Sequence, residues 1–159
     1  MNKYLLVLFS FAGLESLNDF LLKKLESGDK LFVRAVILDS VPKLHEHLTS
    51  DVGFLGDKVA NDLEESVIEG QQDNLEEYLK ELKEKAAKNE FKLFLKKIEH
   101  HQLEKMKKDI LGKDLDAVFI NFSNNEYISD QVKEKEIKDF LKKARLKQYS
   151  FYDGKLEKT

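Results

Sequence analysis

Five apolar strand candidates alternating with helical segments predict an α/β protein. The expected architecture is a three-layer sandwich, a five-stranded, mostly parallel sheet with helices on both faces, in the order βαβαβαβαβ. Three observations carry this expectation. The runs Tyr4–Phe9 and Leu115–Phe122 are almost continuously apolar, as strands covered on both faces must be. The segments between strands are long enough for helical crossovers, which parallel neighbours require. The chain has 159 residues, 42% of them hydrophobic, enough for one full-sized core.

Tyr4–Phe9 is the first strand, and Leu14, Leu17, Leu21 and Leu25 then recur at helical spacing until Ser27-Gly28-Asp29 ends the helix. Leu31–Leu38 is the second strand, broken only by Arg34. Residues 39–56 hold Pro42, two histidines and two glycines without clean periodicity, and read as a loop. A helical stretch runs from Asp57 to about Asn89, with stripes at Val59, Leu63 and Val67 and at Leu75, Leu79, Leu82 and Ala86. The polar break Gly70-Gln71-Gln72 predicts a kink or a switch of face.

Phe91–Ile98 is the third strand, and Lys92, Lys96 and Lys97 place it near an edge. Leu103, Met106 and Ile110 mark a helix ending at Gly112, before the strand Leu115–Phe122. A helix with Val132, Ile137, Phe140, Leu141 and Ala144 inward follows, then a short last strand, Gln148–Tyr152. One domain over residues 1–153 with a polar tail at 154–159 is expected.

Charged residues are abundant but nearly balanced, net −3, which offers no electrostatic case for nucleic acid or an anionic membrane. Few glycines, one proline and many Lys/Glu pairs make the composition thermophile-like. Without cysteine there is neither a disulfide framework nor thiolate chemistry. Lys3 and the apolar run after it superficially resemble a signal peptide. The run is short, however, and a helix follows at once, so a buried strand and a cytoplasmic protein are expected. No segment is long enough to span a membrane.

Open parallel sheets bind ligands at the carboxyl ends of their strands, where strand order switches. Ser10-Phe11-Ala12-Gly13 leaves the first strand directly into a helix N-terminus and is a candidate anion site, though without Walker or dinucleotide glycine spacing. Ser123-Asn124-Asn125-Glu126 follows the fourth strand with no glycine between Gly112 and Gly154. His45, His47, His100 and His101 are the only histidines, and adjacent strand residues point apart, so surface positions are favoured over a zinc site. Carboxylates such as Glu76-Glu77 alternate with lysine in the pattern of a solvated helix face. No nucleophile, base and oxyanion hole can be assembled, so neither a catalytic residue nor a metal ligand is assigned. A small hydrolase or metal enzyme built on His100 and His101 is the remaining catalytic alternative.

The element order, the turn Ser10–Gly13, the segment Gly53-Phe54-Leu55-Gly56-Asp57-Lys58-Val59 and Glu99-His100-His101-Gln102-Leu103 after the third strand together resemble the universal stress protein family. That resemblance implies the UspA-like fold, also described as adenine nucleotide alpha hydrolase-like. The nucleotide-binding branch carries glycine, two residues, glycine, nine residues, then glycine and serine or threonine. Those positions fall here at Asn121, Asn124, Glu134 and Lys135, and the aspartate near the end of the first strand corresponds to Ala12.

The resemblance therefore implies a degenerate site made of Ser10, Ala12, Gly13, Asn121, Ser123, Asn124, Glu134 and Lys135. Asparagine tolerates a left-handed backbone, so Asn121 and Asn124 are expected to keep the loop's shape. Glu134 would repel a phosphate, with Lys135 as a partial offset. The expected function is a non-enzymatic stress-response module without ATP or other cofactor, acting through protein contacts. The alternative is an adenine-nucleotide-binding regulator taking ATP with Mg in a remodelled pocket. The resemblance further implies a homodimer through the last strand, Gln148, Tyr149, Ser150, Phe151 and Tyr152.

Overall fold

The structure is a computed structural model that describes residues 1–37, 57–99, 103–124 and 134–157, with backbone alone for 57–72, 99 and 103. Its strands are β1 (Lys3–Leu8), β2 (Lys30–Ile37), β3 (Lys92–Glu99), β4 (Ala117–Phe122), β5 (Gln148–Tyr152) and β6 (Lys155–Leu156). Its helices are α1 (Leu14–Lys24), α2 (Asp57–Asn89), α3 (Leu103–Leu111) and α4 (Glu134–Lys143). The strands form one sheet in the order β3-β2-β1-β4-β5-β6. Pairs from β3 through β5 are parallel, and β6 is antiparallel to β5.

Strand alternation divides the core into two layers. Leu6, Leu8, Leu31, Val33, Ala35 and Phe119 join Leu14, Leu17 and Leu21 of α1 and Leu75, Tyr78, Leu79 and Leu82 of α2. Leu5, Val7, Val118, Ile120 and Phe122 meet Met106 and Ile110 of α3 and Ile137 and Leu141 of α4. All six residues of β4 are buried because both layers close over it. This is the predicted α/β sandwich, and β3 lies at the sheet edge as its lysines suggest.

One feature differs from the sequence expectation. The sheet has a sixth strand: Gly154 is buried and Lys155-Leu156 pair with Phe151 and Tyr152, so the residues read as a polar tail turn back onto the sheet. Helix α2 is one element that includes Gly70-Gln71-Gln72, so the polar break there is no domain boundary. Val59, Leu63 and Val67 have side chains outside the described residues; the second stripe is buried, with Tyr78 added to it.

Arg34, the one charge in β2's apolar run, is only 7% exposed. Its guanidinium meets Asp109 of α3 at 3.2 Å, and Lys113 reaches the same carboxylate at 3.0 Å. Burial raises the Asp109 carboxyl, but the hydrogen bond from Lys113 and the Arg34 charge outweigh it and hold the group below its ordinary value. A depressed carboxyl contributes stability above its unfolded value, about 3.9, and loses it as pH falls through the folded value. Thermal melts from pH 6 to 3 are therefore expected to fall more steeply for wild type than for Asp109→Asn. At pH 7 the variant should be less stable by roughly 1–2 kcal/mol, because Arg34 keeps its charge without its anionic partner. Parallel melting curves for the two proteins would refute this role.

Candidate functional site

Strand order reverses between β1 and β4, and the carboxyl ends of these strands meet there. β1 leads through Phe9 and Ser10 to Gly13, whose left-handed backbone (φ 66°, ψ 22°) caps α1 without any side-chain cap. β4 ends at Phe122 and leads to Ser123 and Asn124. The structure thus brings Ser10, Ala12, Gly13, Asn121, Ser123 and Asn124 to one crevice.

What fills that crevice is the β5–β6 turn, Asp153-Gly154. Ser10 Oγ donates to Asp153 Oδ1 at 2.6 Å, and the Ala12 N–H donates to Ser10 Oγ at 3.2 Å. The Asn124 N–H donates to Asp153 Oδ2 at 3.2 Å, while the Asp153 N–H donates to the Phe122 carbonyl at 2.9 Å. Gly13 and Gly154 press backbone against backbone. A Cβ on Gly13 would lie 1.8 Å from the Asp153 carbonyl oxygen, and one on Gly154 would lie 1.9 Å from that of Gly13. Both glycines have positive φ, so their absent side chains permit the conformation and the approach together.

Asn121 ties these parts together. Its side chain is fully buried; Nδ2 donates to the carbonyls of Ser10 at 3.0 Å and Ala12 at 3.3 Å, and Oδ1 accepts the Gly154 N–H at 2.8 Å. Its backbone carbonyl accepts the N–H groups of Phe9 and Ser10. The expectation of left-handed asparagines is corrected here. Neither Asn121 nor Asn124 has positive φ; the non-glycine residues that do, among those described, are Glu90, Arg145 and Asp153. Asn121 is a strand residue whose amide, rather than its backbone tolerance, shapes the loop.

Glu134 and Lys135 open α4. Lys135 is exposed, and Glu134 accepts a hydrogen bond from the Tyr152 hydroxyl and pairs with Lys138 at 3.2 Å. Lys138 also donates to Tyr152 at 2.8 Å and meets Glu157 at 3.1 Å. Burial, then the Glu134 hydrogen bond, pushes the Tyr152 hydroxyl up. Glu134 thus serves a half-buried network on β5, and the carboxylate set into the crevice is Asp153. Sequence alignment to the glycine motif missed Asp153; the Asp153-Gly154 pair, a common tight-turn dipeptide, was the signal that could have found it.

Beside Phe11–Gly13 lies a shallow cleft of about 300 Å³ whose lining includes Glu15, Glu77, Glu81 and Tyr78. Burial, then the Glu81 charge, pushes the Tyr78 hydroxyl well above its ordinary value. These carboxylates give this neighbouring cleft a negative lining, unfavourable to phosphate.

The strand assigned to a dimer interface is largely engaged within the chain. Tyr149 stacks on Phe119 with ring centroids 5.1 Å apart, and Phe151 meets Phe20 edge-on at 5.3 Å. The outer edge of β5 carries β6 opposite Phe151 and Tyr152, and the Glu157 N–H donates to the Ser150 carbonyl at 2.7 Å. His45, His47, His100 and His101 lie outside the described residues. Among the described residues no helix is long and apolar enough to cross a membrane.

Fold and site together define a mostly parallel α/β module whose switch-point crevice holds its own β5–β6 turn. No protein-family model and no curated protein matches the chain. Among solved structures it is similar to the hypothetical protein MJ0577, described in a structure-based assignment of biochemical function. The identity is 16% and the TM-score 0.49, with 95% of each chain covered.

Proposed function

We propose that this chain is a non-enzymatic, universal-stress-protein-like module that does not bind ATP and works through protein contacts. The observation that carries this reading is the Asp153-Gly154 turn seated against Ser10 and Gly13. In an open parallel sheet that crevice is where a nucleotide's phosphates would lie. Here a peptide turn occupies the space and adds a carboxylate. The acidic lining of the neighbouring cleft supports the same conclusion. A dimer through β5 forms no part of the proposal, because Ser150 to Tyr152 already pair within the chain.

Calorimetric titration and thermal melts with ATP and magnesium provide the test. A ligand at a hundredfold excess over its Kd stabilises the folded state by about 2.7 kcal/mol, which a melt resolves easily. Neither heat nor a shift is expected at millimolar ATP. Asp153→Asn should behave the same, since the turn persists without its charge. Saturable ATP binding by wild type would overturn the proposal.

A further inference from the structure

β3 ends the sheet on the side away from β6, so among the described residues its outer N–H and C=O groups face no neighbouring strand. Between β3 and α2 lies a groove of about 680 Å³ with Val33, Ala35 and Leu95 on its apolar wall. Lys80, Lys83 and Lys97 also line it, against Glu76 and Glu77. Lys97 pairs with Glu76, whose carboxyl is held low chiefly by that hydrogen bond and charge. The lining therefore keeps an excess of positive charge. On the opposite face of β3, Phe94 is 43% exposed although it stacks on Phe32, and Lys92 and Lys96 are exposed beside it.

We propose that this edge accepts an extended acidic peptide from a protein partner as an added strand. Its apolar side chains would enter the groove, and its carboxylates would run along Lys92 and Lys96. The inference rests on the reading that the protein works through contacts, and it names the chemistry of the partner. Backbone groups supply the pairing, alternate side chains reach the two faces, and the lysines select the sign of charge. A second copy of the chain fits less well. Antiparallel pairing of two β3 strands would set the lysines of Lys92–Lys97 against one another, and like charges across a strand pair destabilise it. The same lysines that discourage self-pairing favour an acidic partner.

The probe is a fluorescein-labelled peptide of alternating glutamate and valine, followed by anisotropy and by amide shifts of the protein. Shifts are expected to concentrate on Lys92–Ile98. Lys92→Glu combined with Lys96→Glu should weaken binding by roughly tenfold or more, and added salt should weaken wild-type binding too. The milder Lys92→Gln with Lys96→Gln should fall between, which guards against a folding defect in the reversed variant. The same peptide N-methylated at alternate residues on its pairing edge should lose at least about tenfold, which separates strand addition from simple charge attraction. Equal binding of the N-methylated peptide or of a lysine–valine peptide would overturn the inference, as would no binding at millimolar probe. Failure of the peptide in a protein that ignores ATP overturns the β3 edge alone. ATP binding overturns the reading beneath it.

Discussion

Gly154→Ala is expected to lose about 3 kcal/mol or more of stability, and Gly13→Ala a similar amount. A methyl at either position would sit within 1.9 Å of backbone from the opposing turn, so two pieces of main chain would have to separate. Backbone is costlier to displace than a flexible side-chain tip, and the positive φ adds its own strain. For a domain of this length that loss lowers the melting temperature by roughly 6–12 °C. Gly28→Ala is the control: its φ is also positive, at 89°, but nothing lies within 4 Å of the added methyl. It should cost only about 1 kcal/mol, from backbone strain alone. If Gly154→Ala melts no lower than Gly28→Ala, the turn does not sit in the crevice and the proposed loss of nucleotide binding loses its support.

Asn121→Ala should be nearly as damaging, at about 3 kcal/mol by urea unfolding. The amide serves two carbonyls of the β1 exit and one N–H of the β5–β6 turn, and its removal strands all three in a site with no exposure. Each buried, unsatisfied group costs about 1–3 kcal/mol, moderated where neighbours relax. Asn121→Leu should fare no better, because filling the volume does not restore the partners. Ser10→Ala removes the hydrogen bond to Asp153 and belongs to the same network. The double variant Asn121→Ala with Ser10→Ala should therefore fall short of additivity by about 1 kcal/mol. Strict additivity would mean that the two residues act independently.

Much of the fold was legible because its elements are local or periodic. Gln148–Tyr152 was placed at its observed bounds, and Asp57 to Asn89 likewise, since each carries a clear pattern between clear breaks. The edge position of β3 could be read from Lys92, Lys96 and Lys97, because charge on a strand is tolerated where a neighbour is missing. β6 was not legible from periodicity, since two residues cannot show a period. The Asp153-Gly154 pair was its one local mark.

The candidate site divides in the same way. Ser10 and Gly13 follow from their place after the first strand, and Asn121 and Asn124 from the resemblance's glycine positions; the sheet brings the four together. Their roles were not legible. Asn121 lies in β4, within the strand expected over Leu115–Phe122, but its amide with three partners, rather than a left-handed backbone, holds the neighbouring loop. For Glu134 the sequence suggests phosphate repulsion partly offset by Lys135, yet its partners are Tyr152 and Lys138. Such partners lie up to 111 residues away in sequence, and no local pattern encodes that meeting.

By itself the sequence determined the class of fold, the order of its elements, and the strands whose carboxyl ends form the crevice. Those properties follow from hydrophobic period and crossover length, which act over a few residues at a time. Only the tertiary structure decided what occupies the crevice. That outcome depends on Gly13 meeting Gly154 and Ser10 meeting Asp153 across the folded sheet, contacts that exist only once β1, β4 and β5 have assembled.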